Sequence, residues 1–144
     1  MKKITVFIIA GAFAFIQGCT ATSQSVPVKS TVDIPSTDKN TLYVRANNWM
    51  VDAFKNAESV IQFSDKESGS ISGRYFLATV YHGEQAYATI KVRVKDEAAK
   101  ITVTPESFTY VKGTVYTEED AQHDIRRLIN SFETSMKRAK DSDW

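Results

Sequence analysis

Ala86-Tyr87-Ala88-Thr89-Ile90-Lys91-Val92-Arg93-Val94-Lys95 is the stretch from which the fold can be read. Ala86, Ala88, Ile90, Val92 and Val94 take alternate positions, and Tyr87, Thr89, Lys91, Arg93 and Lys95 take those between. Successive side chains of a strand point to opposite faces. This alternation therefore describes a strand that is dry on one side and wet on the other, as in an antiparallel sheet covered on a single face.

Working upstream, His82-Gly83-Glu84 reads as a turn, and Ser70 to Tyr81 as a long strand in which Gly73 marks a bulge. Lys66-Glu67-Ser68-Gly69 reads as a Gly-ended turn, and Ser59 to Asp65 as a strand with Ile61 and Phe63 inward. Downstream, Asp96-Glu97-Ala98-Ala99 turns the chain, and Lys100 to Thr104 follows as a strand with Ile101 and Val103 inward. Pro105 cannot donate to a ladder, so it ends that strand or places it at an edge. Ser107 to Tyr116 reads as a loop or a short strand.

The closing helix has the strongest signals. Thr117 caps it, Glu118, Glu119 and Asp120 favour its positive end, and Lys137, Arg138 and Lys140 favour its negative end. Ala121, Ile125, Leu128, Ile129, Phe132 and Met136 form one apolar stripe. Before the first hairpin, Thr41 to Ala46 reads as a strand with Leu42 and Val44 on one side. Asn47 or Asn48 then caps a short helix, Trp49 to Ala57, with Met50, Ala53, Phe54 and Ala57 on its apolar face. The predicted order is β-α-β-β-β-β-α: an α+β two-layer sandwich over residues 41–144, with an antiparallel sheet of four to five strands and two helices on one face.

The first eighteen residues read differently. Met1, Lys2 and Lys3 give a basic start, Ile4 to Ile16 are nearly all apolar, and Gly18 precedes Cys19. That is the three-part layout of a signal peptide, and the apolar run is short of the roughly 20 residues of a permanent membrane helix. Ile16-Gln17-Gly18-Cys19 resembles the lipobox of bacterial lipoproteins, with Gln17 in place of a small residue. Cys19 is the only cysteine of the chain, so the exported domain has no other thiol to mispair. The resemblance implies acylation of Cys19 and a stable anchor from several acyl chains. Thr20 stands where retained lipoproteins carry Asp, which implies sorting to the periplasmic face of the outer membrane of a Gram-negative bacterium.

Residues 19–40 read as the lipidated cysteine and a flexible tether, polar and holding two of the three prolines. Val26, Val28, Val32 and Ile34 alternate weakly, which leaves an added edge strand open. The 144 residues carry a formal net charge of +1, and loss of residues 1–18 removes only Lys2 and Lys3 from the charged set. The mature chain is then close to neutral, which gives no whole-protein steering toward nucleic acid or anionic lipid.

Four short stretches carry a second resemblance: Asn48-Trp49, Val60-Ile61-Gln62, Asp65 to Gly69 followed by Ser70-Ile71-Ser72-Gly73, and Val94-Lys95-Asp96. Together they resemble a bacterial lipoprotein family known as a domain of unknown function with a TBP-like fold, over residues 42–110 and the closing helix. Glu97-Ala98-Ala99-Lys100 stands where the family's Gly-containing turn is expected. The resemblance implies the fold and supplies no catalytic residues.

No arrangement of residues suggests an enzyme, a cofactor or a metal. His82 and His123 have no reason to converge, the acids Glu118, Glu119, Asp120 and Asp124 suit a helix start, and no Gly-x-Ser-x-Gly elbow occurs. The candidate surface is the wet face of the sheet: Tyr87, Lys91, Arg93 and Lys95, with Arg74 and Lys100 from neighbouring strands. It either keeps a one-sided sheet soluble or docks an envelope protein or an anionic ligand. The sheet of the TATA-box binding protein grips DNA, but an exported domain is not expected to meet it. The leading expectation is therefore a non-enzymatic envelope lipoprotein that binds another envelope protein. The alternative is a periplasmic carrier holding a small apolar or anionic ligand between helix and sheet. Ile90, Val92, Val94, Ile101, Val103, Leu128, Ile129 and Phe132 are expected to close that space.

Overall fold

The computed structural model describes residues 26–56, 58–80, 84–106 and 116–138. Seven elements follow in order: β1 (Val28–Asp33), α1 (Lys39–Ala53), β2 (Val60–Asp65), β3 (Ser70–Thr79), β4 (Gln85–Lys95), β5 (Ala98–Pro105) and α2 (Glu118–Lys137). The strands form one antiparallel sheet in the order β1-β5-β4-β3-β2. Both helices cover the same face, which makes the expected two-layer α+β sandwich.

β4 sits at the centre and alternates as its sequence requires, with Ala86, Ala88, Ile90, Val92 and Val94 all buried. Ala88, Ile90, Val92 and Val94 pack with Ile71, Ile101 and Val103 of the flanking strands against Leu42, Ala46, Trp49 and Met50 of α1 and Ile125, Leu128, Ile129, Phe132 and Met136 of α2. Trp49 meets the Phe132 ring edge-to-face at 5.1 Å, and its indole N–H donates to Ser131 Oγ at 3.1 Å. Arg45 adds a bond from Nη1 to the Met136 carbonyl at 3.0 Å, which satisfies an oxygen at the end of α2. α2 opens with a capping box, in which Thr117 and Asp120 bond each other's backbone N–H.

The start of the domain departs from expectation. Thr41 to Ala46 is helix, not strand, and α1 is capped by Asp38, whose carboxylate accepts from Thr41 N at 3.0 Å, rather than by Asn47 or Asn48. Leu42 and Val44 satisfy a two-residue period over only a few positions. Leu42, Tyr43, Ala46, Trp49, Met50 and Ala53 satisfy the helical period across the whole segment, and that longer pattern wins. The helix also ends at Ala53, earlier than the expected Ala57.

The stretch read as tether up to residue 40 contains the edge strand that the alternation of Val28 and Val32 left open. β1 pairs with β5 from Val28↔Val103 to Asp33↔Ala98, buries Val32 to 3% exposure, and bonds α2 through Ser30 Oγ to Glu133 Oε1 at 2.5 Å. The folded domain therefore includes Val28–Asp33, ahead of Thr41. A ladder along the open side of β5 provides the stabilisation that the polar composition lacks.

In β2, Ile61 faces the helices but Phe63 does not, and it is 52% exposed. The register shifts between Ile61 and Phe63, and a one-residue shift moves a side chain to the other face. Ser64 takes the helix side instead, where its hydroxyl lies 2.5 Å from that of Tyr43. β3 carries its own irregularity against β4 between Phe76 and Ala78, not at Gly73. Gly73 serves close approach: a Cβ there would lie 2.6 Å from the Phe54 ring and 2.7 Å from the Val60 carbonyl oxygen. Gly69 closes the β2–β3 turn at φ +67°.

The β4–β5 turn is two residues, Asp96 and Glu97, with Glu97 at φ 62°; Ala98 and Ala99 already belong to β5. Pro105 ends β5, which is an inner strand. The predicted loop or strand at 107–115 and most of the predicted 82–84 turn lie outside the described residues, as do Cys19 and Lys140.

Candidate functional site

The helices cover one face of the sheet, and the other carries every second side chain outward. Arg74, Tyr87, Lys91, Arg93 and Lys95 all stand on this outer face, together with Lys100. Register determines who stands beside whom. Lys29, Thr102, Lys91, Ser72 and Phe63 form one row across the five strands, and Thr31, Lys100, Arg93, Ser70 and Asp65 form the next. Lys29 and Phe63 join this face against expectation, since composition places the first in a tether and alternation places the second in the core.

The structure divides the predicted row into two chemically distinct ends. At one end Arg74 is committed: its Nε and Nη2 reach the Glu106 carboxylate at 3.0 and 2.8 Å, and its guanidinium lies 3.5 Å over the Tyr87 ring. The bond to Glu106 pushes the guanidinium pKa above its ordinary value. Phe76 meets Tyr87 edge-on at 5.8 Å, and the Tyr87 hydroxyl donates to Gln85 Oε1. Val60 and Phe63, 54% and 52% exposed, stand beside this cluster on β2. That end is aromatic and apolar, and its Arg–Glu pair is neutral overall.

The other end is cationic. Among the described residues Lys29, Lys91, Arg93, Lys95 and Lys100 form no ion pair; Arg93 makes only a long contact of 3.5 Å to Ser70 Oγ. Ala98 is a small residue between larger neighbours. It leaves a cup of about 420 Å³ on this face, lined by Thr31, Ser68, Arg93, Lys95 and Lys100 around Val94, Ala98 and Ala99.

On the helix side, the side chains expected to seal the seam do so: Ile90, Val92, Val94, Ile101, Val103, Leu128, Ile129 and Phe132 are all buried. A cleft of about 360 Å³ opens at the margin between α2 and β3, lined by Ala53, Tyr75, Leu77, Asp124, Arg127, Leu128 and Ser131. Burial there, and then the nearby Asp124, pushes the Tyr75 phenol above its usual pKa.

The predicted acids at the start of α2 have structural tasks. Asp120 accepts from the Thr117 hydroxyl and N–H, which hold its carboxyl below the ordinary value. Asp124 accepts from the Tyr116 hydroxyl at 3.1 Å. His123 stands 3.8 Å from Asp124, and His82 lies outside the described residues. Among the described residues no group of three His, Cys, Asp or Glu side chains is placed to hold a metal, and no helix is long and apolar enough to cross a membrane.

Residues 29–110 match the family model described as a domain of unknown function (DUF4468) with TBP-like fold. The chain belongs to the DUF4468 family. The match starts inside β1, in keeping with a domain that begins before Thr41. This DUF4468 domain is similar to a crystal structure of a DUF4468 family protein from Bacteroides ovatus, at 15% identity and a TM-score of 0.52, over 83% of this chain and 90% of that one. It is also similar to a crystal structure of a TBP-like protein from Parabacteroides distasonis, at 12% identity and a TM-score of 0.58, over 81% and 95%. At such identities the likeness concerns the fold. No curated protein matches this DUF4468 chain in sequence.

Proposed function

We propose that this chain is a non-enzymatic lipoprotein of the bacterial envelope, anchored through Cys19 on the periplasmic face of the outer membrane, that docks another envelope protein on the outer face of its sheet. The observation that carries the reading is the one-sidedness of the sheet. Its inner face is filled by two helices, while its outer face is left open and shows Val60, Phe63, Phe76, Tyr87 and Arg74 side by side. Exposed apolar groups gathered on one patch mark interaction sites, and aromatic and Arg side chains supply most hot-spot energy in protein interfaces. The leader sequence and the lipobox-like Ile16 to Cys19 support the anchor.

The test has two arms. Cys19→Ser should move the protein from the membrane to the soluble fraction, and full membrane retention would remove the anchor. The pair Phe63→Ser and Lys91→Ser should abolish a discrete crosslinked complex in intact cells, while Asn130→Ser on the exposed side of α2 leaves it unchanged. Persistence of the complex in the paired variant would refute docking on this face.

A carrier of a small amphipathic ligand is the second reading, and the cleft beside Tyr75 and Arg127 favours it. Leu77→Trp should fill the cleft and abolish uptake of a fluorescent amphiphile; uptake that survives would exclude the cleft as its site.

A further inference from the structure

The geometry points to the cup over Ala98 as a binding site for a phosphate ester, held by Arg93, Lys95 and Lys100 with a hydroxyl donor from Thr31. The inference is independent of the anchor and of a protein partner at the aromatic end.

The first argument is electrostatic. Arg93 and Lys100 are directly opposite each other across β4 and β5, and Thr31 is opposite Lys100 on β1. Like charges in directly opposed positions of an antiparallel pair destabilise a sheet. Among the described residues no acid forms an ion pair with them, although acids are close in sequence and in space. Asp96 and Glu97 follow Lys95 immediately, yet the Asp96 carboxylate accepts from Lys39 N at 2.8 Å and the Glu97 carboxylate from Ser36 N at 2.9 Å. Asp65, in the same row as Arg93, accepts from Glu67 N at 2.9 Å, and its carboxyl is held low mainly by the Ser68 hydroxyl and that N–H. The carboxylates of Asp96, Glu97 and Asp65 are thus held by bonds of their own and make no direct contact with the cations, whose donors remain open to an external anion. Asp33 stands across from Ala98 at the rim of the cup.

The second argument is shape. The three cations do not lie on a flat face but line a depression of about 420 Å³. That is the space of roughly a dozen waters at about 30 Å³ each, more than a lone phosphate fills. Arg offers a planar fork and Lys a point charge, which together suit the several oxygens of a phosphoryl group. No aromatic side chain lines the cup, so it recognises the phosphoryl end rather than a stacked ring.

The test is a titration of the full chain in neutral detergent with glucose 1-phosphate, inorganic phosphate and glucose, followed by the amide signals of Thr31, Ser68 and residues 93–100. The expected result is saturable binding of glucose 1-phosphate, tighter than inorganic phosphate, with none for glucose and weakening as sodium chloride is raised. Lys95→Ser or Lys100→Ser should weaken binding by about tenfold or more, the loss of one charge-assisted bond. Asp33→Asn should tighten it by about twofold to fivefold, and Lys29→Ser, outside the cup, should leave it within about twofold. Lys100→Ser also relieves the repulsion with Arg93, so its thermal midpoint should be equal to or above that of the parent, which separates lost binding from lost folding. Binding of inorganic phosphate as tight as that of the ester would overturn the assignment to an ester. Binding only to polyglutamate or to phosphatidylglycerol vesicles, or equal sensitivity to Lys29→Ser, would overturn the cup as a defined site.

Discussion

Phe132→Ala tests the packing on which both functional readings depend. Phe132 is fully buried on the inner face of α2 and meets the Trp49 ring of α1 at 5.1 Å with planes 75° apart. A buried aromatic removes roughly 150–250 Å² from water, which at about 25 cal/mol per Å² gives roughly 4–6 kcal/mol as an upper figure, since the denatured chain already hides part of it. Measured truncations of buried Phe cost about 3–5 kcal/mol, and that is the expected loss here. Urea unfolding followed by far-UV circular dichroism reads it directly. With a slope of about 1–3 kcal/mol per molar urea, the midpoint should fall by more than about 1 M. Ile125→Val, on the same stripe, should cost about 0.5–1.5 kcal/mol and keeps the comparison usable if Phe132→Ala unfolds outright. A loss below about 1 kcal/mol for Phe132→Ala would mean that the seam between α2 and the sheet is slack. A slack seam would remove the contrast between a sealed inner face and an open outer one, and would favour the carrier.

Further outcomes follow from individual contacts. Gly73→Ala should cost about 1–3 kcal/mol by forcing the Phe54 ring and β2 apart, measured by the same unfolding assay; a neutral result would mean that β2 does not sit this close. Replacing Arg74 and Glu106 singly and together in a double-mutant cycle should give only a weak coupling that fades as salt is raised, because both side chains are partly exposed. Asp38, Asp65 and Asp120 all have carboxyl pKa values lowered from 3.8 by hydroxyl and backbone bonds. A depressed folded pKa means that this stabilisation is complete above the ordinary value and is lost as the pH falls through the lowered one. Denaturation midpoints should therefore fall below about pH 4, and the triple Asn variant should show a flatter profile; an unchanged profile would refute the assignment.

The elements legible in the sequence were those whose pattern is long and read on one face. β4 keeps strict alternation through Val94, and α2 keeps its stripe from Ala121 to Met136 between a cap and a basic end. At the start of α1 a few residues around Leu42 fit both periods, and only the longer window separates helix from strand. β1 was hidden because its stability comes from pairing with β5, some seventy positions away, and not from its composition. One extra residue in β2 turns Phe63 to the outer face, which simple parity does not see.

The candidate site was legible in outline. Alternation alone placed Tyr87, Lys91, Arg93 and Lys95 on one face, and Arg74 joined them there. What it missed is who neutralises whom. Glu106 reaches Arg74 from beyond Pro105, and Asp96 and Glu97 are turned away from Lys95 by amides at residues 39 and 36. Such long-range bonds divide one apparent basic stripe into a neutral aromatic end and a charged cup.

The most direct measurement is site-specific photocrosslinking in intact cells, with the reactive group placed at Lys91 and Thr102 on the outer face, and at Arg126 and Asn130 on the exposed side of α2. The account predicts a discrete protein adduct from the first two positions and none from the others. Adducts from α2 with a silent sheet face would contradict it.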